Sequence, residues 1–355
     1  MFQLSSIPVM ILFITFGIFT LRHSLKIKRT KDPEILEFID GSTFYNEFLL
    51  GALFISCGLL WPFIYTTTGA SAQGAETLYI MSSAIILGFG AAWFVQCNYN
   101  LVRCKKDPEE KRKRLAEQAS MIERRRNEIE CSHDVEIKRK VLHVIPGAVI
   151  AFMQLLSAGL DRLHVFDGDT GIDRASFALF GEVTVAGFFL LMFQYAELLR
   201  LESFCQLPAW AKRWFFSSLK KNEMKSFSTA CTLVVTLFPF IFGPVQVLVC
   251  VAFVSSFADA ASGLFGRKYG KRRFPAGSSK TVAGYMAGTS CAFLIVLVFA
   301  SLFNYEAVPF RTIILMAVVA ALVIFLVDVF TRTLWDNLLN PLLVGAAMIV
   351  VLAIA

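Results

Sequence analysis

Long apolar stretches recur from one end of the chain to the other, and they restrict its fold more than any other feature. Each is about 18–22 residues long, the length at which a helix crosses about 30 Å of hydrocarbon. Hydrophobic residues make up 56% of the chain, against about 45–50% in soluble domains. We therefore predict an all-α fold, a polytopic transmembrane helical bundle of about ten spans. The first stretch lacks the flanking pattern of a signal peptide, so it predicts a retained helix.

The charge of the predicted loops alternates along the chain. Four loops are basic, namely 22–46, 101–140, 200–226 and 263–280. The loops between them are uncharged or mainly acidic. Because cytoplasmic loops are enriched in Lys and Arg, the alternation predicts an N-terminus outside and basic loops in the cytoplasm. It also accounts for the net charge of +7 without a nucleic-acid partner. The weakest predicted span is 227–242, which Pro239 interrupts.

The chain divides into three predicted blocks. Residues 1–100 supply three helices with little polar content and are interpreted as a membrane scaffold. Residues 101–135 form a charged cytoplasmic insert whose Glu and Lys or Arg spacings predict a solvated helix; a surface for anionic lipid is the alternative. Residues 136–355 hold the remaining spans and the unusual polar residues. The eight cysteines show no zinc-ligand spacing, and neither a zinc site nor a disulfide framework is expected.

The segment from Ser255 to Lys280 departs most from an ordinary membrane loop. An apolar run ends there in Asp259, and an ionisable group at the membrane edge requires a metal ion or a cation as partner. Glycines and cations follow at Gly263, Gly266, Arg267, Lys268, Gly270 and Lys280. Cations beside exposed backbone amides suit a polyphosphate, although the Walker A spacing is absent. Small residues also serve helix packing in membranes, which is the alternative interpretation.

Three further polar clusters fall on the same predicted face of the membrane. They are Arg139 and Lys140 with His143, Glu223 before the predicted span 227–242, and Asp328 followed by Asp336 and Asn337. Each alone has an ordinary explanation in interfacial anchoring, helix capping or a turn. Asp336 with Asn337 also makes a suitable ligand pair for Mg²⁺ or a ribose. Together the clusters predict phosphoryl transfer, which depends on positioning and charge neutralisation, with a lipid as one substrate.

The sequence FADAASGLFGRKYGKRRFPAGSSKTVAGYMAG, residues 257–288, resembles the signature of the CTP-dependent lipid kinases. This family includes dolichol kinase, phytol kinase and the fungal-type CTP-dependent diacylglycerol kinase. Three shorter elements are similar to its other motifs, in the same order: RKVLH at 139–143, NEMKSFST at 222–229 and DNLLNPL at 336–342. The resemblance covers roughly residues 136–345. It departs from the family at Ala258, where Gly often precedes the Asp, and at Asp328, where Glu is common.

The resemblance implies transfer of the γ-phosphoryl group of CTP to a membrane isoprenoid alcohol of the dolichol, phytol or polyprenol type, with CDP as by-product. Residues 136–355 would then be the catalytic domain and Mg²⁺ the cofactor. The implied catalytic residues are Asp259, Lys268 and Lys280; the nucleotide-binding residues are Arg139, Lys140, Gly263, Gly266, Arg267, Gly270 and Asn337; the substrate residues are His143 and Glu223; and the metal ligands are Asp259, Asp328 and Asp336. The expected location is the endoplasmic reticulum in a eukaryote or the cell membrane in a prokaryote, with the active site facing the cytoplasm.

Three alternatives remain open. Diacylglycerol as the acceptor would give phosphatidate from the same site. The phosphatidate cytidylyltransferases are more distantly similar, but their Lys-Asp and Pro-Gly-His-Gly-Gly signature is absent. An organic-anion transporter would need inverted repeats and ionisable residues near the midplane of the membrane. No repeat is found, and only Glu182, in the predicted span 176–199, is a candidate for such a residue. The sequence makes no prediction of oligomeric state.

Overall fold

The computed structural model describes residues 3–127, 133–168, 170–227, 231–275, 280–331 and 335–355, without the side chains of 133–139 and 141. Over these residues the chain is helical, and its only β-structure is a single bridge between Arg273 and Thr281. The predicted all-α fold is confirmed.

The first eight helices in chain order are α1 (Ile7–Arg29), α2 (Pro33–Leu36), α3 (Thr43–Leu60), α4 (Ala72–Lys106), α5 (Pro108–Arg126), α6 (His133–Arg162), α7 (Arg174–Glu202) and α8 (Ala209–Ser218). The remaining helices are α9 (Thr232–Leu237), α10 (Val245–Phe253), α11 (Asp259–Tyr269), α12 (Val282–Leu302), α13 (Phe310–Phe330) and α14 (Asp336–Ile354). A π-helical turn, Val254–Ala258, joins α10 to α11. Short 3-10 helices occupy Leu4–Ser6, Trp61–Thr67, Phe204–Gln206, Lys221–Glu223 and Phe238–Phe242.

Nine helices of the described residues are long and apolar enough to cross a membrane, where about ten were predicted. The missing span is 227–242, whose described residues contain only the shorter apolar helix Thr232–Phe242. Its regular part ends at Leu237 because Pro239 cannot donate an N–H to a continuing helix, and a 3-10 helix follows. The multi-pass membrane architecture is confirmed with this correction, and the orientation of the termini stays a prediction.

The chain forms two compact units that do not follow chain order. Unit 1 comprises Met1–Arg139 and Ser157–Cys231, and unit 2 comprises Lys140–Leu156 and Thr232–Ala355. The core of unit 2 is built from apolar side chains of α10, α12, α13 and α14, among them Val251, Val296, Ala317 and Val344. Most predicted site residues belong to unit 2, whereas Arg139 and Glu223 belong to unit 1.

The charged insert packs within unit 1 along one of its faces. Arg114 and Arg125 on α5 are 7% and 1% exposed. Arg114 donates to the carbonyl oxygens of Cys205 (2.8 Å) and Leu207 (3.0 Å), and Arg125 donates to that of Phe216 (2.6 Å). Arg can bury its apolar stem when its guanidinium finds acceptors. The prediction of a solvated helix is therefore correct only for the outer face of α5, because the charge pattern alone does not reveal these carbonyl partners.

Arg200 on α7 holds the segment that carries Glu223. Its guanidinium is 3% exposed and pairs with Glu197, with an Nε to Oε2 distance of 2.8 Å. It also donates to the carbonyl oxygen of Met224 at 2.6 Å and to that of Ser226. One buried cation thus fixes two backbone carbonyls close to Glu223.

Glu47 on α3 fixes the end of the same segment. Its side chain is buried and accepts the backbone N–H of Phe227 at 2.7 Å. The other carboxylate oxygen lies 3.0 Å from Nδ1 of His23 on α1. The N-terminal block therefore does more than span the membrane, since it anchors backbone that follows Glu223 in the chain.

We expect Arg200→Met to lower the free energy of unfolding by about 3 kcal/mol, because it leaves the Glu197 carboxylate buried without its cation. Arg213→Met on α8 removes an exposed guanidinium and should change stability by less than about 0.5 kcal/mol. Thermal unfolding of both variants in the same detergent measures the difference. Equal melting temperatures would contradict a structural role for Arg200.

Candidate functional site

The helix that carries Asp259 runs from Val245 to Tyr269 through α10, the π-turn and α11. The predicted loop 263–280 is therefore wrong at its start, because Gly263 and Gly266 lie on a helix. Each glycine costs only about 1 kcal/mol in a helix relative to Ala, a penalty that tertiary packing offsets. Asp259 is the first residue of α11, directly after the π-turn.

The π-turn connects this helix to α6. The Ser256 hydroxyl, inside the turn, lies 2.8 Å from the carbonyl oxygen of Ala252 and within hydrogen-bond distance of that of His143. A π-turn within an α-helix changes the direction of the side chains that follow it and is frequent at functional sites. The backbone of the predicted His143 element therefore contacts the turn that orients Asp259.

Lys140 on α6 is the partner of Asp259 that the sequence required. Its Nζ lies 2.9 Å from the carbonyl oxygen of Asp259 and 3.6 Å from Oδ2. The Lys140 side chain is 14% exposed and the Asp259 side chain is 32% exposed. Gly263 makes this approach possible, because a Cβ there would lie 2.6 Å from Nζ. The Asp259 carboxylate is thus held beside a cation and still reaches solvent.

Lys280 bridges two further carboxylates. Its Nζ hydrogen-bonds Oδ1 of Asp328 and lies 3.5 Å from Oδ2 of Asp336. Burial is the largest influence on the pKa of Lys280 and lowers it, but the charges of Asp336, Asp328 and Asp259 together outweigh burial and raise the pKa above its ordinary value. Lys280 therefore stays protonated at physiological pH.

These five side chains form an acid–lysine cluster, defined as Lys140, Asp259, Lys280, Asp328 and Asp336. Its formal charge is −1, from three carboxylates and two ammonium groups. All members belong to unit 2, and the electrostatic influence of Asp259 on Lys280 connects its two ion-paired groups. The two ion-paired groups therefore form one candidate site for a charged ligand.

The exposed basic residues continue directly from α11. Arg267 and Lys268 occupy its last turn, and the Lys268 Nζ lies 5.3 Å from the centre of the Tyr269 ring. Both side chains are exposed, as are the cations at 271–273. Gly270 ends the helix, with its N–H bonded to the carbonyl oxygen of Gly266 at 3.0 Å. A row of exposed cations thus adjoins the cluster in sequence.

Glycines let α11 and α12 pack with their backbones close together. A Cβ at Gly284 would lie 2.9 Å from the carbonyl oxygen of Ser262 and 3.3 Å from Cα of Gly266. Thr281 caps α12 by accepting the N–H of Gly284 at 3.2 Å, and its hydroxyl lies 3.3 Å from the carbonyl oxygen of Gly266. This supports the packing interpretation of Gly266; its predicted contact with nucleotide stays a prediction.

We expect Gly284→Val to separate α11 from α12 and to lower the melting temperature of the protein by several degrees, because the backbone atoms of α11 cannot yield as a flexible side chain would. Gly159→Val on α6 is the matched control, since a Cβ at Gly159 meets nothing within 4 Å. The melting temperature of each variant tests this. If Gly159→Val lowers the melting temperature as much as Gly284→Val does, the loss of stability comes from helix propensity and not from the contact between α11 and α12.

The other predicted site residues lie as follows. The Asn337 side chain is half-buried, and its backbone N–H donates to Oδ1 of Asp336 at 3.1 Å. The His143 side chain is half-buried on α6. Glu223 is 6% exposed and accepts the backbone N–H of Lys220 at 2.9 Å. The side chain of Arg139 lies outside the described residues.

Two residues that the sequence did not single out support the cluster. Thr281 is one, and its position before an apolar run is a capping signal that could have identified it. Tyr285 is the other: its hydroxyl donates to the carbonyl oxygen of Phe274 at 2.7 Å and lies 3.5 Å from that of Asp328. No local pattern marks Tyr285, because both partners are distant in sequence.

The carboxylates suit Mg²⁺ by chemistry. Magnesium prefers oxygen donors and is usually held by one or two carboxylates together with phosphate oxygens and water. Among the described residues, no three or more His, Cys, Asp or Glu side chains are grouped to hold a metal ion. Asp259 and Asp336 are 32% and 42% exposed, so each can still reach an ion brought in by a phosphate. Asp328 is buried against Lys280.

Residues 145–334 match the model of the cytidylyltransferase family. The match covers more than half of the chain and includes Asp259, the exposed cations, Lys280 and Asp328. No curated protein and no solved structure matches the chain significantly.

Proposed function

We propose that this chain transfers the γ-phosphoryl group of CTP to the hydroxyl of a membrane isoprenoid alcohol. The chain belongs to the cytidylyltransferase family, which includes CTP-dependent lipid kinases such as dolichol kinase. The observation that supports this most is the acid–lysine cluster, which lies at the ends of apolar helices and adjoins a row of exposed cations. A site of this kind can hold a polyphosphate while a lipid remains in the bilayer.

The charges of the cluster suit phosphoryl transfer. Catalysis of this reaction consists mainly of positioning and of neutralising charge on the transferred group. Lys280, Arg267 and Lys268 would neutralise the triphosphate, and Lys140 can turn from Asp259 toward an incoming phosphate. His143 would contact nucleotide phosphate or lipid headgroup. The predicted binding roles of Arg139 and Glu223 stay predictions.

In the proposed reaction the lipid hydroxyl oxygen forms a bond to the γ-phosphorus, and the bond from that phosphorus to the β,γ-bridging oxygen breaks. CDP leaves with the electron pair of the broken bond. Asp259 would orient the hydroxyl and accept its proton, which then passes to solvent. The products are the lipid monophosphate and CDP.

Asp259 and Asp336 are the residues that would hold Mg²⁺, and Asn337 would contact the metal or the ribose. The bound ion would neutralise triphosphate charge. Asp328 would act through Lys280, whose ammonium it holds in place.

Transfer of a cytidylyl group to a phospholipid acceptor such as phosphatidate is the second candidate, because the matched family is described as a cytidylyltransferase family. It would break the bond between the α- and β-phosphates and release pyrophosphate. The position of the label in the product separates the two reactions.

The test uses purified full-length protein with Mg²⁺ and a mixture of dolichol, phytol, geranylgeraniol, diacylglycerol and phosphatidate. γ-Labelled CTP is expected to label one isoprenoid alcohol, and γ-labelled ATP is expected to label none. Label in diacylglycerol would change the acceptor, and lipid labelled from α-labelled CTP would favour cytidylyl transfer. Protein that binds no CTP would contradict both reactions.

A further inference from the structure

Asn340 on α14 is a buried polar side chain with an unused acceptor. Its side chain is 6% exposed, and Oδ1 has no hydrogen-bond partner among the described residues. A buried amide oxygen without a partner costs about 1–3 kcal/mol. Such groups in native structures call for an explanation, and a catalytic role is one of the known explanations.

The position of Asn340 relates it to the acid–lysine cluster. It follows Asp336 by four residues, so the two side chains lie on one face of α14, about one turn apart. Asp336 is at the start of α14 and faces Lys280. Asn340 is therefore one turn further into the apolar part of this helix, whose next buried residues are Pro341 and Val344.

The elements packed against α14 include the π-turn that precedes Asp259. α14 packs against α10, α13 and the π-turn Val254–Ala258, and Asp259 directly follows that turn. The residue thus lies in unit 2, on a helix in contact with the turn that orients Asp259, and at a greater depth in the apolar region than Asp336.

We propose that Oδ1 of Asn340 accepts a hydrogen bond from the hydroxyl of the lipid alcohol. An amide oxygen needs a donor, and an isoprenoid alcohol has one donor at the end of an apolar chain. The apolar neighbours of Asn340 suit that chain better than a nucleotide, whose phosphates require the cations of the cluster. Asn340 would position the hydroxyl for reaction and would distinguish an alcohol from a lipid without a donor.

This inference rests on the proposed function for its substrate class, but its test measures binding alone. Full-length protein in nanodiscs is titrated with geranylgeraniol and with geranylgeranyl methyl ether, which lacks the hydroxyl proton. Wild-type protein is expected to bind the alcohol about 10-fold more tightly than the ether. This ratio corresponds to the net free energy of one buried hydrogen bond. Asn340→Leu should bind the two lipids equally.

Gln246→Met is the matched control. Gln246 is also a buried amide without a partner, but it lies at the start of α10, 13 residues before Asp259 and about 20 Å away along the helix. The Gln246→Met variant should retain the wild-type preference for the alcohol. Asn340→Leu should keep or gain thermal stability, since it replaces an unpartnered polar group by an apolar group of similar size.

Two results would overturn the proposal. One is an unchanged preference for the alcohol in Asn340→Leu, and the other is a wild-type protein that binds the alcohol and the ether equally. Phosphate transfer from γ-labelled CTP is measured separately. If Asn340→Leu loses the preference but the wild-type protein transfers no phosphate, the lipid site stands and the kinase function is wrong.

Discussion

Replacing Asp259 by Asn is expected to lower CTP-dependent phosphorylation of the lipid alcohol by about 10³-fold or more. The carboxylate would accept the hydroxyl proton or hold Mg²⁺, and the neutral amide of Asn can do neither adequately. The shape of the side chain is kept, and the 2.9 Å bond from Lys140 to the backbone carbonyl of residue 259 does not involve the substituted group. The fold should therefore survive, and the transfer rate in single-turnover assays measures the effect.

The control for Asp259→Asn is Glu306→Gln, which removes an exposed carboxylate from the loop between α12 and α13. It should keep the wild-type rate. CTP binding by Asp259→Asn is measured in parallel, to show that the variant still folds with an intact nucleotide site. Full turnover by a folded Asp259→Asn protein would eliminate Asp259 from the mechanism.

Replacing Lys280 by Met is expected to reduce transfer by about 10²-fold or more and to destabilise the protein by about 3 kcal/mol. The first effect follows from the loss of a cation that would neutralise the triphosphate. The second follows because the Asp328 side chain, only 7% exposed, would be left buried without its cation. Thermal unfolding and single-turnover transfer measure the two effects independently.

A second substitution separates these two effects. Adding Asp328→Asn to Lys280→Met removes the uncompensated charge and should restore most of the stability without restoring transfer. Lys212→Met breaks a comparable half-buried pair with Glu117 in unit 1 and should leave transfer intact. Recovery of transfer together with stability in the double variant would reduce Lys280 to a structural counter-ion.

The local sequence was sufficient for the all-α fold and for nine of the predicted spans, whereas the roles of the site residues stay predictions. Apolar length decides whether a helix can span a membrane, and this property is readable without knowledge of neighbours. The failure at 227–242 has a local cause in Pro239, which the sequence also contained. Asp259 was singled out because an ionisable residue in such a position requires a partner.

Tertiary structure alone decided which groups meet. Lys140 and Asp259 are 119 residues apart in the chain, and Lys280 and Asp328 are 48 apart. The burial of Arg114 on α5, the contact of Gly263 with Lys140 and the unused acceptor of Asn340 likewise depend on neighbouring helices. The physical reason is that apolar length and charge are properties of a segment. Ion pairs, hydrogen bonds and close backbone contacts are properties of two segments, and only packing brings those together.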